Sequence, residues 1–165
     1  VSPIGVTLGT GFGFASMKER RLLVGESLIP HGALWNRPFR DGIVEDYVSR
    51  RAIRARYQAL KRCDDLPDVK EIADLARQGD AQALETFRQT GRFLGEILTS
   101  PVHEYGADLV VIGGQIARSH DLFLAEARAL LSCPIACAEH IDDAALRGAA
   151  QYGLLGTAQT MTILR

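Results

Sequence analysis

The sequence predicts one mixed α/β domain built on a sheet of about five strands, and three observations predict it. Up to Val24, apolar segments alternate with turns. The middle of the chain has helical periodicity, and the last third alternates strand and helix patterns. Strands joined by tight turns pair antiparallel, whereas strands joined through helices pair parallel. We therefore expect three antiparallel N-terminal strands followed by parallel strands with crossover helices.

Length and composition exclude several classes of protein. A chain of 165 residues and 18.0 kDa is the size of one domain with its own core. Its 47% hydrophobic and 24% charged residues exclude a disordered chain. A net charge of -1 creates no overall field that would attract nucleic acid or an acidic membrane. Three cysteines without a CxxC pair are typical of a reducing compartment, so we expect a cytoplasmic protein.

The N-terminal part predicts three strands. Residues 4–8 form an apolar run typical of a buried strand, and three glycines within the next five positions end it. A Rossmann or P-loop glycine cluster should open a helix, yet residues 14–24 continue as strand, charged turn and strand. No Gly-Lys-Ser/Thr follows the glycines. Both common nucleotide fingerprints are therefore excluded here.

Helices are predicted in the middle of the chain, after a long loop at residues 25–42. Loops longer than about 12 to 15 residues in a compact domain are usually functional. Helical patterning runs from near Glu45 through Lys61 and starts again at Asp68, which forms a capping-box pattern with Glu71. Asp80 is predicted to cap a third helix. Its apolar face comprises Leu84, Phe87, Gly91, Leu94 and Leu98, with Gly91 and Gly95 allowing close approach.

The last third predicts two more strands, each followed by a helix. Residues 108–112 form a continuous apolar run ended by two glycines, which is typical of a strand buried on both faces. The elements predicted after it are a helix from Ser119 through Leu131, a strand at residues 134–138, and a helix from Asp142 to near Met161.

Four segments in this order resemble the second half of the ROK family, which comprises bacterial sugar kinases and sugar-responsive repressors. Residues 7–13 resemble the family's second phosphate motif, and residues 44–53 the segment that begins with a sugar-binding Glu. Residues 109–114 resemble its adenosine motif, and residues 143–150 its closing helix. The resemblance implies an actin-like ATPase (ribonuclease H-like) fold. It also implies ATP and Mg²⁺ as cofactors, sugar and nucleotide as ligands, and a homo-oligomer.

Two departures from the family pattern change what the resemblance implies. The family binds a structural zinc through one His and three Cys. In this sequence only the His has a counterpart, His31, and Ile43 stands where the last Cys would be. We expect no zinc, because a tetrahedral site cannot close with one soft ligand. The family's first half, with the catalytic base Asp, is absent from this sequence. We therefore expect residues 1–165 to be a single C-terminal domain without a catalytic base, cut from a longer chain that starts before Val1.

The glycine cluster suits a phosphate group. Glycines allow backbone N–H groups to converge on an anion, and a threonine adds a hydroxyl donor. The alternative is a tight hairpin that needs glycine only for positive φ; the resemblance favours phosphate. The phosphate-binding candidates are Gly9, Thr10, Gly11, Phe12 and Gly13.

Three polar residues around the long loop are candidates for sugar binding, since a sugar needs directional partners for its hydroxyls. Glu45 is the first choice, and its alternative role is a carboxylate stabilised at a helix start. His31 and Glu26 follow, although their spacing is two residues longer than in the family, and His31 could equally be a surface histidine.

A further set of residues is a candidate for nucleotide binding at the carboxyl end of the buried strand. These residues are Gly113, Gly114 and Gln115, and their alternative role is an ordinary turn. The basic residues between Arg50 and Arg62 surround their helix instead of forming one stripe, so we expect no nucleic-acid binding through this domain.

Three functions remain open at this stage. In the first, the domain belongs to a sugar kinase that transfers phosphate from ATP to a hexose or amino sugar, and it is inactive without the family's first half. Alternatively, it is the sugar-sensing domain of a transcriptional regulator, or a degenerate homologue without chemistry.

Overall fold

The structure, a computed structural model, describes residues 1–27, 29–62, 64, 66–155 and 161–164. It contains a six-stranded sheet, a two-stranded hairpin and six α-helices in the described part. The strands are β1 (Pro3–Leu8), β2 (Phe12–Lys18), β3 (Arg21–Val24), β4 (Pro38–Phe39), β5 (Gly42–Ile43), β6 (Leu109–Gly113), β7 (Ile135–Cys137) and β8 (Met161–Ile163). The helices are α1 (Glu45–Val48), α2 (Arg50–Lys61), α3 (Val69–Arg77), α4 (Ala81–Glu104), α5 (His120–Arg128) and α6 (Ala144–Leu155), with a 3₁₀ helix at Gln115–Ser119.

The main sheet has the strand order β7-β6-β1-β2-β3-β8. Strands β1, β2 and β3 pair antiparallel, whereas β6 pairs parallel with β1 and β7 pairs parallel with β6. The predicted mixed sheet is confirmed. Its sixth strand, β8, pairs parallel with β3 and includes Met161, where the sequence predicts the end of the last helix. That helix, α6, ends at Leu155 in the described part, so the prediction of its length is wrong.

One face of the sheet carries the core. Ile4, Val6 and Leu8 of β1 alternate with exposed neighbours, as expected for a strand with one covered face. Strand β6 was predicted to be buried on both faces; Val110 and Ile112 are buried, but Leu109 and Val111 are only half-buried. The largest buried side chains of the helices that join this core are Ile53, Ile72, Phe87, Leu94, Leu98 and Phe123.

Helix boundaries follow local capping chemistry where a cap exists. Asp68 and Glu71 form the predicted capping box at α3. The predicted helix from Glu45 to Lys61 is instead two helices, because Ser49 has extended backbone and its hydroxyl accepts from the Ala52 N–H of α2. Ser119 stands at the N-cap position of α5 as predicted, but its side chain makes no capping hydrogen bond.

Asp80 begins α4 as predicted, and its carboxylate accepts from the Ala83 N–H at 2.8 Å and pairs with Lys61. We expect Asp80→Ala to lower the free energy of unfolding by about 1 kcal/mol, because a helix N-cap is lost. Asp80→Asn keeps the acceptor and should lose less. Urea unfolding of both variants measures the difference, and equal losses would assign the effect to the Lys61 pair instead of the cap.

Among the described residues, no helix has both the length and the apolar composition needed to cross a membrane.

Candidate functional site

The five phosphate-binding candidates form the connection between β1 and β2, here called the glycine turn (residues 9–13). The Gly9 N–H donates to the Gly11 carbonyl at 3.1 Å, which closes the turn. Leu8 pairs with Phe12, and Phe12 is buried, so the turn is anchored in the core at its base. Thr10 is exposed at the tip.

Two of the three glycines of this turn, Gly11 and Gly13, allow close approach, and none of the three needs positive φ. None of Gly9, Gly11 and Gly13 has a positive φ angle. A Cβ atom at Gly11 would lie 2.6 Å from Oε2 of Glu45, and one at Gly13 would overlap the hydroxyl of Thr7. The alternative in which the turn needs glycine for positive φ is therefore wrong. Gly11 makes room for the side chain of Glu45 and Gly13 for that of Thr7, whereas an added Cβ at Gly9 would meet nothing within 4 Å.

Glu45 reaches the glycine turn from the start of α1. Its Oε2 accepts a hydrogen bond from the Phe12 N–H at 3.0 Å, although 33 residues separate the two in the chain. The Glu45 N–H itself donates to the carbonyl of Trp35 at 3.0 Å. Glu45 is therefore the first residue of α1, its carboxylate braces the turn, and the Phe12 N–H is already hydrogen-bonded within the protein.

A shallow cavity of about 460 Å³ lies over this contact. It is lined by the glycine turn together with Glu45, Trp35 and Gly114. Sequence reasoning missed Trp35, whose side chain is 47% exposed. The signal was present: it is the only tryptophan of the chain, and it lies in the long loop for which a function was expected. The cavity thus combines an apolar platform with a carboxylate, the two features that a sugar ring uses.

A second cavity of about 630 Å³ lies on the other side of the glycine turn and also includes Gly9 and Thr10. The Arg50 N–H donates to the Gly9 carbonyl at 2.8 Å, so the first residue of α2 is fixed beside the turn. Its guanidinium contacts Asp68 at 2.9 Å and lowers the pKa of that carboxyl. The charged lining residues are Arg50, Lys70, Arg77, Arg118, Asp68 and Asp74. Each of the four cations is paired with a carboxylate, because Arg77 also contacts Asp121 and Arg118 contacts Asp142.

The nucleotide-binding candidates lie next to the glycine turn. Gly114 has φ of +84°, and a Cβ atom there would overlap the Leu8 carbonyl at the end of β1, so only glycine fits. Gly114 lines the first cavity, and exposed Gln115 lines the second. Gly113 is buried at the end of β6.

His31 and Glu26 lie away from the Glu45 cavity. His31 Nδ1 is 3.0 Å from the hydroxyl of Tyr105, at the C-terminal end of α4, and Glu26 is exposed after β3. Burial raises the pKa of Tyr105, so its hydroxyl stays protonated and able to donate at neutral pH. Neither residue is among the described residues that line the cavity. Their roles in sugar binding stay predictions.

The residues present do not fit the zinc site that the resemblance implies. Within the described ranges, no group of three or more His, Cys, Asp or Glu side chains lies close enough to hold a metal ion. His31 faces Tyr105. Cys133 and Cys137 are half-buried thiols whose pKa values burial raises, and Cys63 lies outside the described residues.

Comparison with known proteins gives one matching family model and several curated relatives. A model of the ROK family matches residues 2–155. The glucokinase of Thermotoga maritima is 28% identical over 147 residues, which is 76% of this chain and 46% of that protein. The N-acetylmannosamine kinase of Yersinia pestis (strain Pestoides F) is 27% identical over 163 residues, 89% of this chain and 55% of that protein.

A solved structure supports the same fold. The crystal structure of a putative sugar kinase from Cytophaga hutchinsonii superimposes with a TM-score of 0.78 at 25% identity, covering 91% of this chain and 56% of that one. The actin-like ATPase fold expected from the sequence is thereby confirmed. The chain spans about half the length of the proteins it matches.

Proposed function

The chain belongs to the ROK family, and from that premise we propose that it binds the phosphates of ATP on the glycine turn and a hexose or amino sugar beside Glu45. Phosphate passes from the first ligand to the second. The names of its relatives, a glucokinase and an N-acetylmannosamine kinase, support this sugar-kinase-like role.

One observation carries the proposal: the glycine turn borders both cavities, and Gly9 and Thr10 line each of them. Phosphate transfer requires the donor phosphorus and the acceptor oxygen to approach to roughly 3 to 3.5 Å. A turn that forms the common edge of two neighbouring cavities is suited to that requirement. The chemistry needed from the protein is mostly positioning and charge neutralisation.

On the donor side, the hydroxyl of Thr10 and the backbone at the tip of the glycine turn would contact the phosphates, and the backbone at Gln115 would contact the nucleoside. Magnesium would neutralise charge on the donor phosphates. The carboxylates in this cavity, Asp68 and Asp74, already pair with Arg50 and Lys70. They are therefore poor ligands for a magnesium ion.

On the acceptor side, Glu45 has one hydrogen bond from the Phe12 amide, and a carboxylate can accept about four. It can therefore accept from sugar hydroxyls without releasing the turn. The exposed indole of Trp35 would cover the apolar face of the sugar ring. No catalytic base is assigned, since the resemblance puts that Asp in the family's first half.

The proposal extends to the whole protein only in part. We propose that residues 1–165 form one domain equivalent to the C-terminal half of the family's kinases, in agreement with the span of about half of each relative. A cytoplasmic location, a homo-oligomeric state and the lack of nucleic-acid binding through this domain stay predictions.

Titration of ¹⁵N-labelled chain by NMR tests the proposed function. We expect AMPPNP with Mg²⁺ to shift the amides of Thr10 and Gly11, because they stand at the tip of the turn. Glucose or N-acetylmannosamine should shift the Glu45 amide and the Trp35 indole N–H. Sorbitol, a polyol without a ring, serves as the control. No shift in either region at millimolar ligand would reject the proposal.

The same chain should transfer phosphate from ATP to hexoses at least about a hundredfold more slowly than an ordinary sugar kinase, because no general base is supplied. A coupled assay with ATP and several hexoses measures this rate. Faster turnover by the chain alone would mean that it contains its own base, and would correct the assignment of Glu45 as a binding residue only.

A further inference from the structure

The hairpin formed by β4 and β5 ends at Ile43, two residues before Glu45, and is too short to be stable by itself. Each strand has two residues, and Arg40 in the turn has φ of +54°, which residues other than glycine adopt uncommonly. Even longer two-stranded hairpins are only marginally stable in water. The position of this hairpin must therefore be fixed by contacts from other elements.

Aromatic rings supply the first set of contacts. Phe39 of β4, Tyr47 of α1 and Phe93 of α4 meet edge to face, with centroid distances of 4.9 Å (Phe39 to Tyr47), 5.1 Å (Tyr47 to Phe93) and 6.1 Å (Phe39 to Phe93). This is the geometry that the ring quadrupoles favour. The three rings join the hairpin, the helix that carries Glu45, and the long central helix.

Arg40 supplies a second contact to α4. Its guanidinium lies 4.6 Å from the centre of the Phe93 ring and donates to both carboxylate oxygens of Glu96, at 2.8 and 3.1 Å. Both hydrogen bonds come from Nη2, and together with the cation–π contact they hold the guanidinium against α4. The strained turn residue is thus fastened to the helix by its own side chain.

Arg56 connects α1 to the Phe93 ring of α4. Its guanidinium donates to the Tyr47 carbonyl at 2.8 Å and to the Thr90 hydroxyl at 2.7 Å, and it lies 4.8 Å from the Phe93 ring centre. Burial lowers the pKa of Arg56 to about 10, which still leaves the group charged at neutral pH. Removing a guanidinium from water costs free energy unless hydrogen-bond partners replace the water. The Tyr47 carbonyl of α1 and the Thr90 hydroxyl of α4 are these partners.

We propose that this cluster, the aromatic clasp (Phe39, Arg40, Tyr47, Arg56 and Phe93), positions Glu45 against the glycine turn in place of a structural metal ion. The zinc implied by the resemblance would cross-link this same loop, and the described residues offer no ligand set for it. The clasp performs the cross-link with rings and guanidinium groups. Its members are positioning residues, and their purpose for sugar binding rests on the proposed function.

Amide hydrogen exchange tests the clasp without any ligand, since the Phe12 amide donates to Glu45. We expect Phe93→Leu and Arg40→Ala each to speed exchange at Phe12 roughly tenfold, because local opening is governed by local contacts. Exchange at Val110, which donates to the Pro134 carbonyl in the sheet, should not change. Phe93→Tyr should restore slow exchange at Phe12, because the ring is kept.

Arg92→Ala is the matched control, because Arg92 also lies on α4 and pairs with a carboxylate outside the clasp, that of half-buried Glu126. This substitution should leave the rate of hydrogen exchange at the Phe12 amide unchanged. Unchanged exchange in both clasp variants would overturn the proposal, as would stoichiometric zinc found by elemental analysis of protein purified without chelator. Sugar titration separates the two proposals. If exchange changes but the wild-type chain binds no sugar, the proposed function fails and the clasp stands.

Discussion

Alanine at position 91 is expected to lower the free energy of unfolding by about 2 to 3 kcal/mol, mainly through overpacking between α4 and α5. A Cβ atom at Gly91 would overlap the Phe123 carbonyl and lie 2.9 Å from Cβ of Glu126. Backbone cannot step aside as a side chain can, so the helices must separate. The stacked rings of Phe87 and Phe123, 6.5 Å apart, lie in the same contact and would lose packing.

Thermal and urea unfolding of Gly91→Ala measure this loss, which corresponds to a drop in Tm of roughly 5 to 10 °C for a domain of this size. Gly148→Ala is the matched control: it is also a helical glycine, in α6, but nothing lies within 4 Å of its added Cβ. Because alanine favours helix, the control should be neutral or up to about 1 kcal/mol more stable. Similar stability of the two variants would show that α4 and α5 are not packed this closely.

Replacing Glu45 by Gln should weaken sugar binding roughly tenfold to a hundredfold while Tm barely changes. A hydrogen bond to a charged acceptor contributes about 1.5 to 3 kcal/mol, which corresponds to that range of affinity. Gln keeps the shape and a carbonyl oxygen, so the Phe12 N–H keeps an acceptor. A charge at a helix start adds only about 0.3 to 1 kcal/mol. NMR titration with sugar and a melting curve of the same variant give the two quantities.

Glu19→Gln is the control for Glu45, because Glu19 is exposed in the turn between β2 and β3 and is not among the described residues that line the cavity. Its affinity for sugar should equal that of the wild type. If Glu45→Gln melts many degrees lower and keeps its affinity, Glu45 is a structural brace of the glycine turn. The sugar site would then have to be sought at His31 and Glu26.

Features that depend on neighbours within four residues could be predicted from the sequence. Asp68 with Glu71 and Asp80 with Ala83 act across one helical turn, so the residue types and their spacing are sufficient. The apolar face of α4 and its close contact at Gly91 follow from the helical period in the same way. The apolar run at residues 4–8 likewise predicted β1, and the glycines after it predicted the turn into β2.

The course of the chain at its C-terminal end was decided by pairing and not by pattern. Residues near Met161 were predicted as helix, yet Met161, Thr162 and Ile163 form β8, because β3 offers an open edge with which they pair in parallel. A free strand edge is available only once the sheet exists. Local propensity carries no information about it.

The candidate site combines both kinds of information. Its residue types, namely three closely spaced glycines, a carboxylate at a helix start and a tryptophan in a long loop, are visible in the sequence. Tertiary structure alone decided that Glu45 contacts Phe12, that Gly11 must be glycine for Glu45 to enter, and that His31 meets Tyr105 instead of Glu45. The physical reason is that these partners lie 33 or more residues apart. Such contacts depend on how β1, α1 and α4 pack, which no local period encodes.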